Sequence, residues 1–307
     1  MSREVYGSGV SVVFRSGFST VKGGRMKGAS VVDTEGRKVG SVSDEVVPDL
    51  NRALASLERS TETLCRLLRE VSDPRATAVG YWTVGETATH LSHSFQVEAE
   101  MIAGKTKARL DSMELLDDFN QSRLREDPER DPAVAAERIE GLLEDFKTSA
   151  QATGDGPFTW HGGIQIPVAT GAAIMISECL VHGYDIAKAE GKPWEVPTED
   201  AIIVFEGLSP MLPYYVNREL ADGFSAVYEL SMRGGSKVMW MFDDGALTIE
   251  PPDGRRVDCR ISADPSAYLL VGYGRISQVK PILTGKIVAY GRKPWLGMRL
   301  ATLLANP

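Results

Sequence analysis

Between Val46 and Val71 the apolar residues Val47, Leu50, Leu54, Leu57, Leu64, Leu68 and Val71 recur at helical spacing. That spacing predicts a long amphipathic helix, ended by Asp73-Pro74. Thr83-Val-Gly-Glu86 has the form of a capping box and opens a second helix running to about Ala103. A weaker helical pattern spans about Asp111 to Arg125. Asp131-Pro132 supplies an N-cap and a first-turn proline for a helix from Ala133 to Ala150, with Ile139, Leu142, Leu143 and Phe146 on its apolar face. A Gly-, Pro- and Trp-containing loop (Thr153 to Gln165) precedes a helix that Pro167 starts and Gly191 and Pro193 stop. Thr198 caps a further helix through about Arg218. Residues 45–220 therefore read as an up-and-down helical bundle.

At Asp222-Gly223 the period changes from helical to alternating. Phe224–Met232, Lys237–Phe242 and Ala246–Ile249 read as strands joined by turns at Gly234-Gly235-Ser236 and Asp243-Asp244-Gly245. Arg256–Ile261 and Lys286–Tyr290 add strands, Asp264-Pro265 caps a helix over Ser266–Tyr273, and Pro294–Leu304 closes the chain as an amphipathic helix. Residues 223–307 are thus expected to form an α+β domain, a sheet covered by helices. The fold class expected is α followed by α+β.

Composition adds limits. A chain of 307 residues, 43% hydrophobic and 25% charged, is long enough for two domains with separate cores. Net charge of −8 argues against a general nucleic-acid or anionic-membrane surface, so neither nucleic acid nor a membrane is an expected partner. The oligomeric state is left open, and a monomer is compatible with the pattern. Cys65, Cys179 and Cys259 are odd in number and widely spaced, as reduced thiols of a cytoplasmic protein are. Residues 1–28 are rich in Gly, Ser and basic residues and carry neither a signal peptide nor a membrane span; they are expected to form a disordered tail.

Three of the four histidines fall in two of the predicted helices. Glu178 and His182 stand four apart, so one helical face carries both, among Ile174, Val181 and Ile186. An unpaired carboxylate there is costly, and a divalent metal would remove the cost. With His90 the pair would make the open three-ligand set of a catalytic zinc site, although spacing alone does not bring His90 to the pair. His93, one turn past His90, is a candidate supporting group, an alternate ligand or a surface residue. Asp185, three after His182, could accept the distal imidazole N–H or lie on the helix surface. His161 lies in the loop before the Glu178 helix, either lining a cleft or exposed. Gly162-Gly163 and Gly234-Gly235 lack the strand–helix context of a phosphate loop and read as turns.

Trp82-Thr-Val-Gly-Glu-Thr-Ala-Thr-His90-Leu, followed by Glu178-Cys-Leu-Val-His-Gly-Tyr-Asp185, resembles the DinB-like four-helix bundles of the mycothiol-dependent maleylpyruvate isomerase family. Asp264 to Arg275, Gly285 to Arg292 and Pro294-Trp295 resemble the sterol-carrier (SCP2)-like domain that those proteins carry. The resemblance covers about residues 45–307. It implies metal ligands at His90, Glu178 and His182, a divalent metal (zinc first), and mycothiol or a related low-molecular-weight thiol as cofactor. It implies an isomerase or S-transferase acting on an electrophilic small molecule. Two departures stand out. Tyr184 replaces a frequent Trp, and no substrate motif fixes Arg233 or Arg275, the two candidates for holding a dicarboxylate. The alternatives are a small-molecule or lipid binding protein whose metal is not catalytic, and a metal-dependent hydrolase.

Overall fold

The computed structural model describes residues 31–32, 38–106, 110 and 115–304. The expected tail at 1–28, and the start of the helix expected from Asp111, lie outside the described residues. In chain order the elements begin with strands β1 (Val31–Val32) and β2 (Lys38–Val42), helix α1 (Leu50–Arg69), and short strands β3 (Thr77–Val79) and β4 (Trp82–Thr83). Helices α2 (Val84–Ile102), α3 (Leu116–Glu126) and α4 (Pro132–Thr153) follow, then β5 (Pro157–Thr159), β6 (Gln165–Pro167) and α5 (Val168–Ala189).

Helices α1, α2, α4 and α5 make a four-helix bundle around one core that includes Leu57, Leu64, Leu91, Phe95, Ile139, Phe146 and Ile176. Both predicted starts are present. Thr83 and Glu86 close a reciprocal capping box at α2, and Asp131 with Pro132 opens α4. Helix directions run up, down, down, up rather than in strict alternation. The start of α2 meets the start of α4, where Gly85 leaves no room for a Cβ against the Arg130 carbonyl, while Glu58 and Arg69 on α1 pair with Lys147 and Glu140 in reverse order. The segment between α2 and α4 contains α3 and is long enough to carry the chain back to the same end.

Beyond the bundle lie α6 (Thr198–Gly207) and α7 (Arg218–Ala221), then β7 (Ala226–Met232), β8 (Lys237–Asp243), β9 (Ala246–Glu250), β10 (Cys259–Ala263), α8 (Pro265–Gly272), α9 (Val279–Leu283), β11 (Ile287–Tyr290) and α10 (Leu296–Leu303). The single helix expected from Thr198 to Arg218 is broken. Helix α6 stops at Gly207, and Pro210 and Pro213 confine the next residues to a 3-10 stretch over Ser209–Tyr215. The strand expected at 256–261 sits at Cys259–Ala263, where Cys259, Ile261 and Ala263 point inward in alternation.

Seven strands form one sheet in the order β1-β2-β9-β8-β7-β10-β11. Strand β2 comes from before the bundle and pairs parallel to β9, so the sheet domain recruits chain from both sides of the helices. Its core holds Tyr228, Leu230, Trp240, Phe242, Leu247 and Ile249. Helix α6 joins the two parts because its run over residues 201–205 presents apolar side chains on both sides: Ile203 and Val204 enter the bundle core, and Ile202 and Phe205 enter the sheet core. Phe205 stacks on Trp240 with ring centroids 6.3 Å apart. Helix α8 also bridges, with Leu269 in the bundle core and Tyr268 against the sheet.

Candidate functional site

The antiparallel packing of α2 on α5 sets His90 opposite Glu178, and helical spacing adds His182 one turn on. The His90 Nε2 lies 3.2 Å from Glu178 Oε2, and His182 Nε2 lies 3.6 Å from the same oxygen. One ligand atom from each of the three residues falls within 4.8 Å of the others. Sequence spacing could not show this meeting; the bundle produces it.

Burial and pairing set the charges. Burial holds the His90 imidazole below its ordinary range against the pull of Glu178, which favours the neutral ring. Burial pushes the Glu178 carboxyl up, but the His90 hydrogen bond and the nearby His182 and Arg275 bring it down to about 2. A neutral imidazole and an ionised carboxylate are the forms that bind a divalent cation. Glu178 is the most exposed of the three, at 22% of its side chain, and half-buried Ile174 lies one helical turn before it. The Trp82 ring lies 4.7 Å from that of His90, and Ser94 Oγ is 3.4 Å from His90 Nε2.

Behind His182 a chain of contacts runs into the second domain. His182 Nδ1 lies 3.2 Å from Asp185 Oδ2, although the ring is turned so that no acceptor is well aligned with it. Arg275, just past α8, grips Asp185 through its Nε (3.0 and 3.1 Å) and Nη2 (2.8 Å). Burial pushes the Asp185 carboxyl up, and His182 and Arg275 outweigh it, leaving the group below its usual range. Tyr273 donates its hydroxyl to Ser177 Oγ at 2.9 Å, one residue before Glu178. Neither Trp82 nor Tyr273 was singled out from the sequence. Trp82 carried a signal, since it immediately precedes the capping residue of the His90 helix.

The other sequence candidates lie elsewhere. Arg233 donates to the carbonyls of Gly285 and Lys286, and so ties the β7–β8 turn to the start of β11 instead of facing the cluster. His93 is rotated away from His90 by its three-residue offset and meets Asp127 Oδ2 at 3.1 Å, on the α3–α4 side of α2. It lines an open groove of about 680 Å³ with Gln96, Arg123 and Arg138. His161 Nδ1 accepts from the Leu110 N–H at 3.1 Å and holds the loop that precedes β6.

The three cysteines are buried and unpaired. Burial pushes the Cys65 thiol up to about 12 and raises those of Cys179 and Cys259 as well. Cys179 adjoins Glu178 in sequence, but its sulfur points into the bundle, 3.8 Å from Thr61 Oγ1. None of the chain's own thiols is placed to serve as a nucleophile at the cluster.

Residues 54–187 match the model of the mycothiol maleylpyruvate isomerase N-terminal domain. Among solved structures, a mycothiol-dependent maleylpyruvate isomerase aligns at 12% identity over 79% of this chain and 93% of its own, with a TM-score of 0.48. A UbiJ-SCP2 ubiquinone synthesis protein aligns at 16% identity over 36% of this chain and 93% of its own, with a TM-score of 0.27. No curated protein matches the chain.

Proposed function

We propose that this chain is a thiol-dependent isomerase or S-transferase whose metal site is His90, Glu178 and His182, a reading supported by the match of residues 54–187 to the mycothiol maleylpyruvate isomerase N-terminal domain. The observation that carries the reading is the convergence of those three side chains on one buried point with their ligand atoms within 4.8 Å.

The donor set fits a divalent cation: two imidazoles and one ionised carboxylate, with Glu178 open toward solvent. When bound, such a cation supplies positive charge that favours thiolate over thiol on a cofactor sulfur at neutral pH. The remaining work belongs to the chain. Glu178 and the two histidines fix where a sulfur would sit. Trp82 and Ile174 offer an apolar wall that would limit access of water. Asp185, clamped by Arg275, sets a negative charge 3.2 Å from His182 Nδ1 and so favours the proton on that nitrogen, leaving Nε2 for the cation. The chain's own cysteines are buried away from the cluster, so a thiol acting there would come from outside, as a low-molecular-weight cosubstrate does.

The test is turnover by zinc-loaded protein of an electrophilic conjugated acid such as maleylpyruvate, with and without mycothiol. The reading expects isomerised product or a thiol adduct only when both thiol and enzyme are present, and loss of turnover in His182→Ala. Metal-dependent turnover without any thiol would replace the reading with a hydrolase. Binding of an apolar ligand with no turnover under any condition would replace it with a carrier.

A further inference from the structure

The charge of this chain is unevenly placed. From Pro265 to Pro307 there are six basic residues and no acidic one, within a chain of net charge −8. The same stretch leaves large apolar side chains in water: Leu283 at 81% exposure, Met298 at 73%, Trp295 at 64% and Val279 at 59%, with Ile282, Val288 and Tyr290 also exposed. These residues lie on α9, β11 and the start of α10. They are neighbours, since Lys286 N–H bonds the Pro281 carbonyl between α9 and β11, and Gly297 of α10 packs on Ala289 of β11. Strand β11 is the last of the sheet.

The basic residues divide into two groups. Arg275 is committed to Asp185, and Arg299 donates to the Leu220 carbonyl. Lys280, Lys286, Arg292 and Lys293 remain around the apolar side chains. Arg292 and Lys293 share one carboxylate, Asp258, at 3.2 and 3.1 Å, and Lys286 lies 3.9 Å from Asp264. Positive charge is left over.

We propose that the α9–β11–α10 edge is a peripheral docking surface for an anionic lipid membrane, with Leu283, Trp295 and Met298 entering the headgroup layer while Lys280, Lys286, Arg292 and Lys293 meet lipid charge. Exposed apolar side chains rimmed by Lys and Arg are the composition that binds such surfaces. No helix among the described residues is long and apolar enough to cross a membrane, so the contact is superficial. The acidic remainder of the chain does not oppose it, because charges beyond about 8 Å are screened at physiological salt. The reading from net charge alone overlooked this local excess. A second copy of the chain is a poorer occupant, since an isologous contact would set the four basic residues against themselves. The first thirty residues are a poor occupant too: Arg3, Arg15, Lys22, Arg25 and Lys27 against Glu4 give them the same sign.

The experiment is co-sedimentation of the full chain with vesicles of phosphatidylcholine, alone or with about one third phosphatidylserine. We expect binding to the mixed vesicles only, weakening as salt rises. Lys280→Glu, Lys286→Glu and Lys293→Glu together should weaken it at least ~100-fold, at about fivefold for each basic residue. Leu283→Ser, Trp295→Ser and Met298→Ser together should abolish it while leaving the circular dichroism melt in place, because all three side chains are exposed. Absence of binding by the parent chain, or binding by either variant as strong as the parent's, would overturn the proposal. So would a solution dimer of the parent chain that the serine variant converts to monomer, which would make this edge a self-interface.

Discussion

Glu98 is the carboxyl most at odds with its surroundings. It stands two turns beyond His90 on α2, 4% exposed, with Oε2 accepting from Trp160 Nε1 at 3.0 Å and Oε1 without a hydrogen-bond partner. Gly171 on α5 makes the space, since a Cβ there would fall 2.8 Å from Oε1. Burial pushes this carboxyl up, the Trp160 hydrogen bond pulls it part of the way back, and the Glu178 charge adds to the rise, for a net shift from 4.5 up to about 8. The folded chain therefore keeps a proton on Glu98 that the unfolded chain releases near pH 4.5. Stability from this group is complete below pH 4.5, falls as pH rises toward 8, and changes no further above it. The shift corresponds to at most about 4–5 kcal/mol across that window. Glu98→Gln keeps the acceptor for Trp160 and removes the titration. Urea unfolding monitored at pH 5, 6.5 and 8.5 should show the parent losing stability against the Gln variant by a few kcal/mol, in the order of ~2–4. A difference between the two proteins that stays constant with pH would refute the argument.

Other outcomes follow from the same contacts. Arg275→Ala leaves Asp185 buried without its partner, so thermal unfolding should register a loss of about 3 kcal/mol or more. Competition with a zinc chelator should show metal affinity weaker by about 10–100-fold in that variant; Arg275→Lys, which keeps the charge and loses the fork, should recover only part of it. In the folded protein Cys65, Cys179 and Cys259 should resist a chromogenic disulfide reagent on the timescale of minutes, and all three should react in denaturant; prompt labelling of Cys179 would contradict its inward placement. We also propose a division of the chain near Asp222-Gly223, between residues 45–220 and 223–307. Limited proteolysis should cut there, yet the pieces should stay associated, because β2 is paired into the sheet and α6 and α8 pack on both cores.

Much of this architecture was legible in the residues. The capping box at Thr83 and Glu86, the Asp131-Pro132 start and the alternation from Ala226 onward are local signals, and the structure follows them. What escaped is non-local. Strand β2 is short and gains its place only by pairing with β9, some two hundred residues away. Strands β5 and β6 lie within a loop whose Gly and Trp content masked a three-residue hairpin pairing. Helix α9 is five residues long with a proline inside it, too short for a periodic signal. At the site, the i,i+4 geometry of Glu178 and His182 could be written down from spacing, but their meeting with His90 required the antiparallel packing of α2 on α5. The role of Arg275 could not be read from spacing either, since its partner Asp185 lies ninety residues earlier.

The central claim is that His90, Glu178 and His182 hold a divalent metal. Equilibrium dialysis of the full chain against zinc, followed by elemental analysis, tests it most directly. The account predicts one zinc per parent chain, and none retained by the variant carrying His90→Ala, Glu178→Ala and His182→Ala, provided that its helical circular dichroism is unchanged. Equal zinc in the folded triple variant, or a folded parent chain that takes up no divalent metal, would contradict it.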